Sequence, residues 1–394
     1  MARLAYISFD QVPAPKGAST HIEAFARGLA TEFGAVDLVT VGTTPAVTGP
    51  FERWPGVSHW ELPAAGVSLI DRVLSFGVAL TRWLEGREYE VIQFRSIFEG
   101  LPILRGRKRA ALVFEVNGLP SIELKYRYPG CEDDRELMAK IVAQERACVA
   151  AADRMVTPSA VTRDFLVESR GADRRRVAVI PNGVDVELFR PQDGVDEQRL
   201  LYFGTLSAWQ GVELAIRALA RVEGTLTIVG TGSKAQREGL MSLAAKLGCA
   251  GRVVVSPPMS QEELGSEMAR CSAVLAPLVW NDRNVVQGCC PLKVLEGMAA
   301  GRPVISSDLE VVRQLGTHEE HFLLAKAGSV DLMAGAIQRL RGDPQLASKL
   351  ASKARRLVEE RYTWAHATAS LAAVYRELID RSVRDGGGHV PVRS

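Results

Sequence analysis

Short runs of β-branched and aromatic residues alternate with helical stretches along almost the whole chain, and this alternation is what most constrains the fold. Leu4 to Phe9 is apolar apart from Ser8, as a strand buried on both faces requires. A Pro/Gly loop, Val12 to Gly17, follows it. A helix is then expected to open near Ser19, with Ile22, Phe25, Ala26 and Leu29 on one face. Further strands are expected at Val36 to Val41, Val91 to Phe94, Ala111 to Val116, Met155 to Thr157 and Val177 to Ile180, with helices near 67–85, 133–151 and 159–169. The pattern restarts after Pro181-Asn182-Gly183 and the turn-rich stretch from Pro191 to Asp196. Strands at Arg199 to Phe203, Leu226 to Val229, Arg252 to Val255, Ala273 to Ala276 and Pro303 to Ser306 are each followed by a helix. Later helices are expected at Asp331 to Arg341, Ala347 to Glu360 and Ala367 to Ile379.

Strands that alternate with helices specify parallel sheets covered on both faces. The expected class is therefore α/β, with two doubly wound, Rossmann-like domains joined near residues 182–196. Ligands of such sheets lie at the carboxyl ends of the strands, so two facing domains predict a site in the cleft between them. The N-terminal domain is placed at 1–185, the C-terminal domain at 186–365, and the Gly-rich residues 385–394 are expected to form a flexible tail.

Composition removes several function classes. A net charge of +2 does not suit a general nucleic-acid binder, which needs a concentrated basic surface. The six cysteines are irregularly spaced and form no Cys-x-x-Cys pair, so neither a zinc site nor a disulfide framework is expected, and a reducing, cytoplasmic compartment fits. The N-terminus reads as a strand and not a signal peptide, and no apolar run is long enough to span a bilayer. Oligomeric state is not legible.

The densest chemical signal runs from Gly288 to Val304. It reads as a loop, a helix with Pro291 near its first turn, a Gly stop and a buried strand. A helix N-terminus offers unsatisfied N–H groups and partial positive charge, which suits a diphosphate. Lys293 and Glu296 share a face: an ammonium for phosphate oxygens, and a carboxylate one turn later for ribose hydroxyls. The same spacing also fits an ordinary surface Lys–Glu pair. Gly230-Thr231-Gly232 lies between a strand and a helix, a weak phosphate signal by itself. No complete Gly-x-Gly-x-x-Gly follows the first strand, which argues against a nicotinamide dehydrogenase. Gly17 either lets backbone approach a ligand or is a plain turn residue. Asn117 ends a buried strand, where its amide can bind a sugar hydroxyl or merely form a turn with Gly118.

Other features divide between function and plain surface. His21 reads better as a capping or surface histidine than as an acceptor contact. Lys125 to Tyr128 could hold a sugar by hydrogen bonding and stacking, and the basic run Arg105 to Arg109 could meet anionic lipid at the inner membrane face. Both also read as solvated surface. Cys289 and Cys290 read as small loop residues and not metal ligands.

Taken together, these segments resemble the retaining glycosyltransferases of GT-B fold, specifically family four. The resemblance rests on Gly17 to Leu29, Gln144 to Ser159, the phrase from Ile180 to Phe189, the turn Ile228 to Gly232 and the signature around Glu296 to Val304. It implies that residues 366–384 cross back to complete the N-terminal, acceptor-binding domain, and that 186–365 bind the donor. It further implies transfer of a sugar from a nucleotide-diphosphate donor, a UDP- or GDP-sugar, to an acceptor hydroxyl of a glycan, lipid-linked or small-molecule acceptor. Anomeric configuration is retained, with no obligatory metal and no separate cofactor. Closure about 182–196 would exclude water. Donor contacts are implied at Gly17, Gly204, Thr205, Gln210, Gly230, Gly232, Gln287, Leu292, Lys293 and Glu296.

The departures bear on mechanism. The first of the family's two glutamates falls on Gly288, leaving Gln287 as a neutral substitute, and Pro291 removes one N–H from the phosphate-facing loop. Where the family commonly places an Arg and a Lys, this chain has Thr205 and Gln210. A leaving diphosphate needs cationic stabilisation, and Lys293, with Arg283, is expected to supply it; Asn117 is the remaining catalytic candidate. The alternative is a non-catalytic nucleotide-sugar-binding relative. An epimerase or phosphorylase on the same scaffold is a more remote reading, and no pyridoxal-phosphate lysine context is present.

Overall fold

The computed structural model describes residues 3–42, 50–106 and 110–386, without the side chains of 382–386. Arg107, Lys108 and Arg109 of the basic run, and the tail from 387 onward, lie outside the described residues. The described residues divide into two compact units: those up to 14, within 18–180 and from 367 form the first, and 15–17 with 181–366 the second.

The first unit is built on strands β1 (Leu4–Ile7), β2 (Val36–Val41), β3 (Phe51–Trp54), β4 (Val57–Leu62), β5 (Val91–Phe94), β6 (Ala111–Glu115), β7 (Arg154–Thr157) and β8 (Val177–Val179). They form one sheet in the order β3-β4-β2-β1-β5-β6-β7-β8, parallel except for β3 against β4. Its helices are α1 (Gly17–Phe33), α2 (Leu69–Leu84), α3 (Ile97–Arg105), α4 (Pro120–Arg127), α5 (Arg135–Ala151) and α6 (Ala160–Phe165). The chain winds outward from β1 through β2, then returns to β5 on the other side. The β1/β5 boundary is thus the topological switch point, where ligands of doubly wound sheets gather.

The second unit carries β9 (Asp196–Phe203), β10 (Thr225–Val229), β11 (Val253–Ser256), β12 (Cys271–Ala276), β13 (Val304–Asp308) and β14 (Leu323–Lys326), all parallel, in the order β11-β10-β9-β12-β13-β14. Its helices are α7 (Val212–Leu219), α8 (Lys234–Lys246), α9 (Gln261–Arg270), α10 (Leu292–Ala299), α11 (Glu310–Arg313), α12 (Val330–Gly342) and α13 (Pro344–Arg361). Here the switch point falls between β9 and β12. The last helix, α14 (Trp364–Gly386), leaves the second unit and from Ala367 belongs to the first.

The expected strands are all present within a few residues. The sequence reading missed β3, β4, β14, α3 and α4. Each core follows from the winding: central strands are apolar on both faces because helices cover both. Phe94 and Phe114 stack at 4.8 Å between β5 and β6, and Leu200, Tyr202, Ile228 and Leu275 fill the second core. Among the described residues no helix is long and apolar enough to cross a membrane.

Candidate functional site

The segment from Gly288 to Val304 folds as its sequence indicated. Pro291 stands at the N-cap of α10 and cannot donate, so the first free N–H groups belong to Leu292 and Lys293. At the far end, Arg355 donates to the carbonyls of Ala299, Val186 and Phe189, placing a guanidinium where the helix dipole is negative.

Lys293 and Glu296 are both buried on α10, each with 7% of its surface exposed, so they are not a solvated surface pair. The Lys293 ammonium lies 4.2 Å from the centroid of the Tyr202 ring and donates to Gln210 Oε1 at 2.5 Å. Gly204 lies against it: a Cβ there would sit 3.6 Å from Nζ. Burial lowers the Lys293 amine to about 7, and Glu296 partly offsets this. Burial likewise raises the Glu296 carboxyl to about 7, opposed by Lys293.

The surrounding turns come from the switch point. Gly204, Thr205 and Gln210 follow β9, and Gly230 and Gly232 follow β10. The two turns touch so closely that a Cβ on Gly230 would lie 1.7 Å from the Gly204 carbonyl oxygen. The Tyr202 hydroxyl donates to the Thr205 carbonyl at 2.8 Å, and Ser207 donates to the Thr205 hydroxyl at 3.2 Å.

From β12 a third loop enters. Arg283 opens a π-helical turn, Arg283–Gln287, and its guanidinium stands 5.6 Å over the Trp209 ring. Its charge also acts to lower Lys293, in line with a second cation nearby. Fully buried Asn284 donates to the carbonyls of Trp209 at 2.9 Å and Val279 at 2.8 Å, fixing this loop to the preceding one. Gln287 is also fully buried. Gly288 has φ 82° and ψ 169°, a conformation open essentially to glycine alone, so the missing glutamate cannot simply be restored there. Cys290 is buried, which pushes its thiol up to about 12, and Asn182 donates to its carbonyl at 2.8 Å.

The structure therefore brings Lys293, Gln210, Gly204, Thr205, Gly230, Arg283 and Glu296 into one region of the second unit. Gly232 follows in the same turn as Gly230, and Leu292 begins α10. Gly17 opens α1 and groups with the second unit. Asn117 lies in the first unit and belongs to a different cluster. There its amide donates to Glu115, which also accepts from Tyr6 at 2.7 Å, Gln93 at 2.5 Å and Arg95 at 2.8 Å. His21 is not a capping or surface residue. It is 4% exposed, with Nε2 at 2.8 Å from Glu115, because α1 turns this face onto the sheet. Tyr202, Trp209, Asn284, Arg95 and the hub role of Glu115 escaped the sequence reading. The usable signal for Arg95 and Glu115 was their place at strand ends.

Lys125 lies 5.5 Å over the Tyr126 ring and Arg127 5.7 Å over that of Tyr128, so the aromatic-basic run of α4 makes local contacts. Among the described residues no three His, Cys, Asp or Glu side chains gather as a metal cage.

Comparison with known proteins adds independent findings. A family model described as "Glycosyltransferase Family 4" matches residues 15–188, and one described as "Glycosyl transferases group 1" matches 197–343. A D-inositol 3-phosphate glycosyltransferase of Streptomyces bingchenggensis is 30% identical, covering 92% of this chain and 85% of the relative. One from Acidothermus cellulolyticus is 27% identical, covering 92% and 86%. Among solved structures, sucrose-phosphate synthase of Thermosynechococcus elongatus superposes with a TM-score of 0.83 at 22% identity, covering 97% of this chain and all of that one. Anabaena HepE, crystallised with UDP and glucose, gives 0.74 at 15% identity, covering 96% and 100%.

Proposed function

Because the chain belongs to the group 1, family 4 glycosyltransferases, it is an enzyme of glycosyl transfer, and we propose that its donor is a nucleoside-diphosphate sugar held by the second unit. In this reading the diphosphate rests on the N–H groups of Leu292 and Lys293, with the Lys293 ammonium and Arg283 balancing its charge. Glu296 accepts from the ribose hydroxyls, and the turns at Gly204 and Gly230 bring backbone close to the nucleotide.

The observation that carries the reading is the contact between Lys293 and Gln210. The family's usual cation is missing at 210, yet the ammonium from α10 reaches that very side chain. The charge needed by the leaving group is thus delivered from a different element. The resemblance adds retention: the acceptor hydroxyl attacks from the face the diphosphate leaves, and a phosphate oxygen takes its proton. No carboxylate base is then needed, which accommodates glycine at 288.

The acceptor falls to the first unit, with Asn117 among its contacts. The relatives' names point to a polyol, with a cyclitol phosphate as the first candidate. UDP is favoured over GDP by the UDP-bound relative, a preference at the level of fold. A nucleotide-sugar panel analysed by mass spectrometry should release one nucleoside diphosphate, and Lys293→Ala should lower kcat by about 10²–10³-fold at saturating donor. Near-normal turnover of that variant would reject the role of Lys293; no release from any donor would reject the donor class.

A further inference from the structure

A second polar cluster lies at the β1/β5 switch point of the first unit, centred on the Glu115 carboxylate. Among the described residues Tyr6, His21, Gln93, Arg95 and Asn117 reach it with their side chains. Arg95, at the end of β5, bridges Glu115 to Asp10, which follows β1, with Nη1 at 2.8 Å from Asp10 Oδ2. Ser8 donates to the same oxygen at 3.1 Å, and the Arg95 backbone N–H donates to Glu99 at 3.0 Å. Burial opposes the Glu115 charge, but His21 and Arg95 hold the carboxyl well below the usual range.

Such a cluster is costly unless nearly every donor and acceptor is met. Most are met; Glu99 Oε2 is buried without a partner among the described residues, whereas the open groups on Arg95 and Asn117 are not sealed from solvent. Arg95 is 8% exposed, and its Nη2 donates to no protein atom among the described residues, yet it is not sealed from solvent. Glu115 can only accept, so it fixes the Asn117 amide with nitrogen inward; the Asn117 oxygen has no partner among the described residues. Asp10 is 27% exposed in its side chain. A donor, an acceptor and a carboxylate are thus presented together at the carboxyl ends of β1, β5 and β6.

We propose that Asp10, Arg95 and Asn117 form the acceptor subsite for ring hydroxyls of a polyol, with Glu115 as the positioning residue that holds them. The inference rests on the assignment of the acceptor to this unit. Hydroxyls fit because each both donates and accepts, matching Asp10 or the Asn117 oxygen on one side and Arg95 on the other. A phosphate fits poorly at this cluster. Asp10 and Glu115 both pair with Arg95, so its single positive charge is already balanced by two carboxylates. Any phosphate on the acceptor is therefore directed elsewhere.

The test uses the full chain, the donor it hydrolyses, and myo-inositol, glucose and fructose, each paired with a monophosphate ester. Asp10→Asn should raise the acceptor KM about tenfold for neutral and phosphorylated members alike, with donor KM moved less than about twofold. Arg95→Lys, which keeps the charge but loses the fork, should act in the same direction. Should Arg95→Lys fail to melt cooperatively, the partly exposed Asp10→Asn decides. An Asp10→Asn enzyme that improves only with phosphate esters would place the phosphate here and overturn the proposal. So would an unchanged acceptor KM, or no transfer to any of these rings by an enzyme that hydrolyses donor. Failure of the wild type to hydrolyse any donor is a separate result that rejects the donor assignment beneath it.

Discussion

Lys293 keeps its amine in a place that resists a charge: burial, with Arg283 nearby, outweighs the attraction of Glu296. The direction of the resulting pH dependence follows. A lysine whose value falls from its ordinary 10.5 to about 7 loses its proton as pH rises through 7, and the cation is then gone. Glu296, raised from 4.5 to about 7, gains negative charge over the same interval. Both changes disfavour a bound diphosphate, whose own charge in a nucleotide sugar does not vary near neutrality. Loss of the Lys293 proton alone should leave affinity for the donor nearly full at about pH 6 and about tenfold lower by about pH 8, the linkage expected for one proton. Calorimetry in buffers of different ionisation enthalpy should register proton uptake on binding at the upper end of this range. In Lys293→Ala most of the pH dependence should disappear; an equally steep profile in that variant would assign it to another group.

At the scale of elements, the site depends on how closely turns approach at the β9/β12 switch point. The carbonyl of Gly204 occupies the place of a Gly230 side chain, so Gly230→Ala must push two strand ends apart. A cost of about 2–4 kcal/mol is expected, in the range of severe overpacking, with donor affinity falling more than stability alone explains. Thermal melts and donor titrations of that variant would show it; a silent substitution would mean that the turns have room to separate. Much of this architecture was legible, because strands bounded by turn formers and helices of one apolar face announce themselves locally. The elements that were missed depend on distant partners. β4 exists by pairing with β2 across a long connection, β3 by folding back on β4, and β14 by lying beside β13. The same division holds at the site. Spacing put Lys293 and Glu296 on one face, but only folding brings Tyr202 and Gln210 to the ammonium. His21 misled for the same reason: nothing local indicates that α1 turns it onto the buried carboxylate of Glu115, 94 positions later.

For the molecule as a whole, the return of α14 to the first unit ties the end of the chain to the Glu115 cluster. Tyr375 is fully buried, and its hydroxyl donates to Gln93 Oε1 at 2.8 Å; the amide nitrogen of the same Gln93 donates to Glu115. Gln93 is thereby oriented from both sides. Leu371, Ala372 and Leu378 bury the rest of this face, while Arg154 and Glu377 pair at its edge. The helix thus does more than cover a sheet, since one of its hydroxyls determines which way a glutamine faces in the polar cluster. Tyr375→Phe removes that single atom while leaving the ring in place. The Gln93 oxygen would then be buried without a donor, at a cost of about 1–3 kcal/mol. The amide could also flip, turning its oxygen toward Glu115 and repelling the carboxylate that holds Arg95 and Asn117. The expected outcome is a lower melting temperature together with a raised acceptor KM and a donor KM close to that of the wild type. A variant that melts earlier but keeps its acceptor KM would confine α14 to packing, and would separate the closing helix from the chemistry at the strand ends.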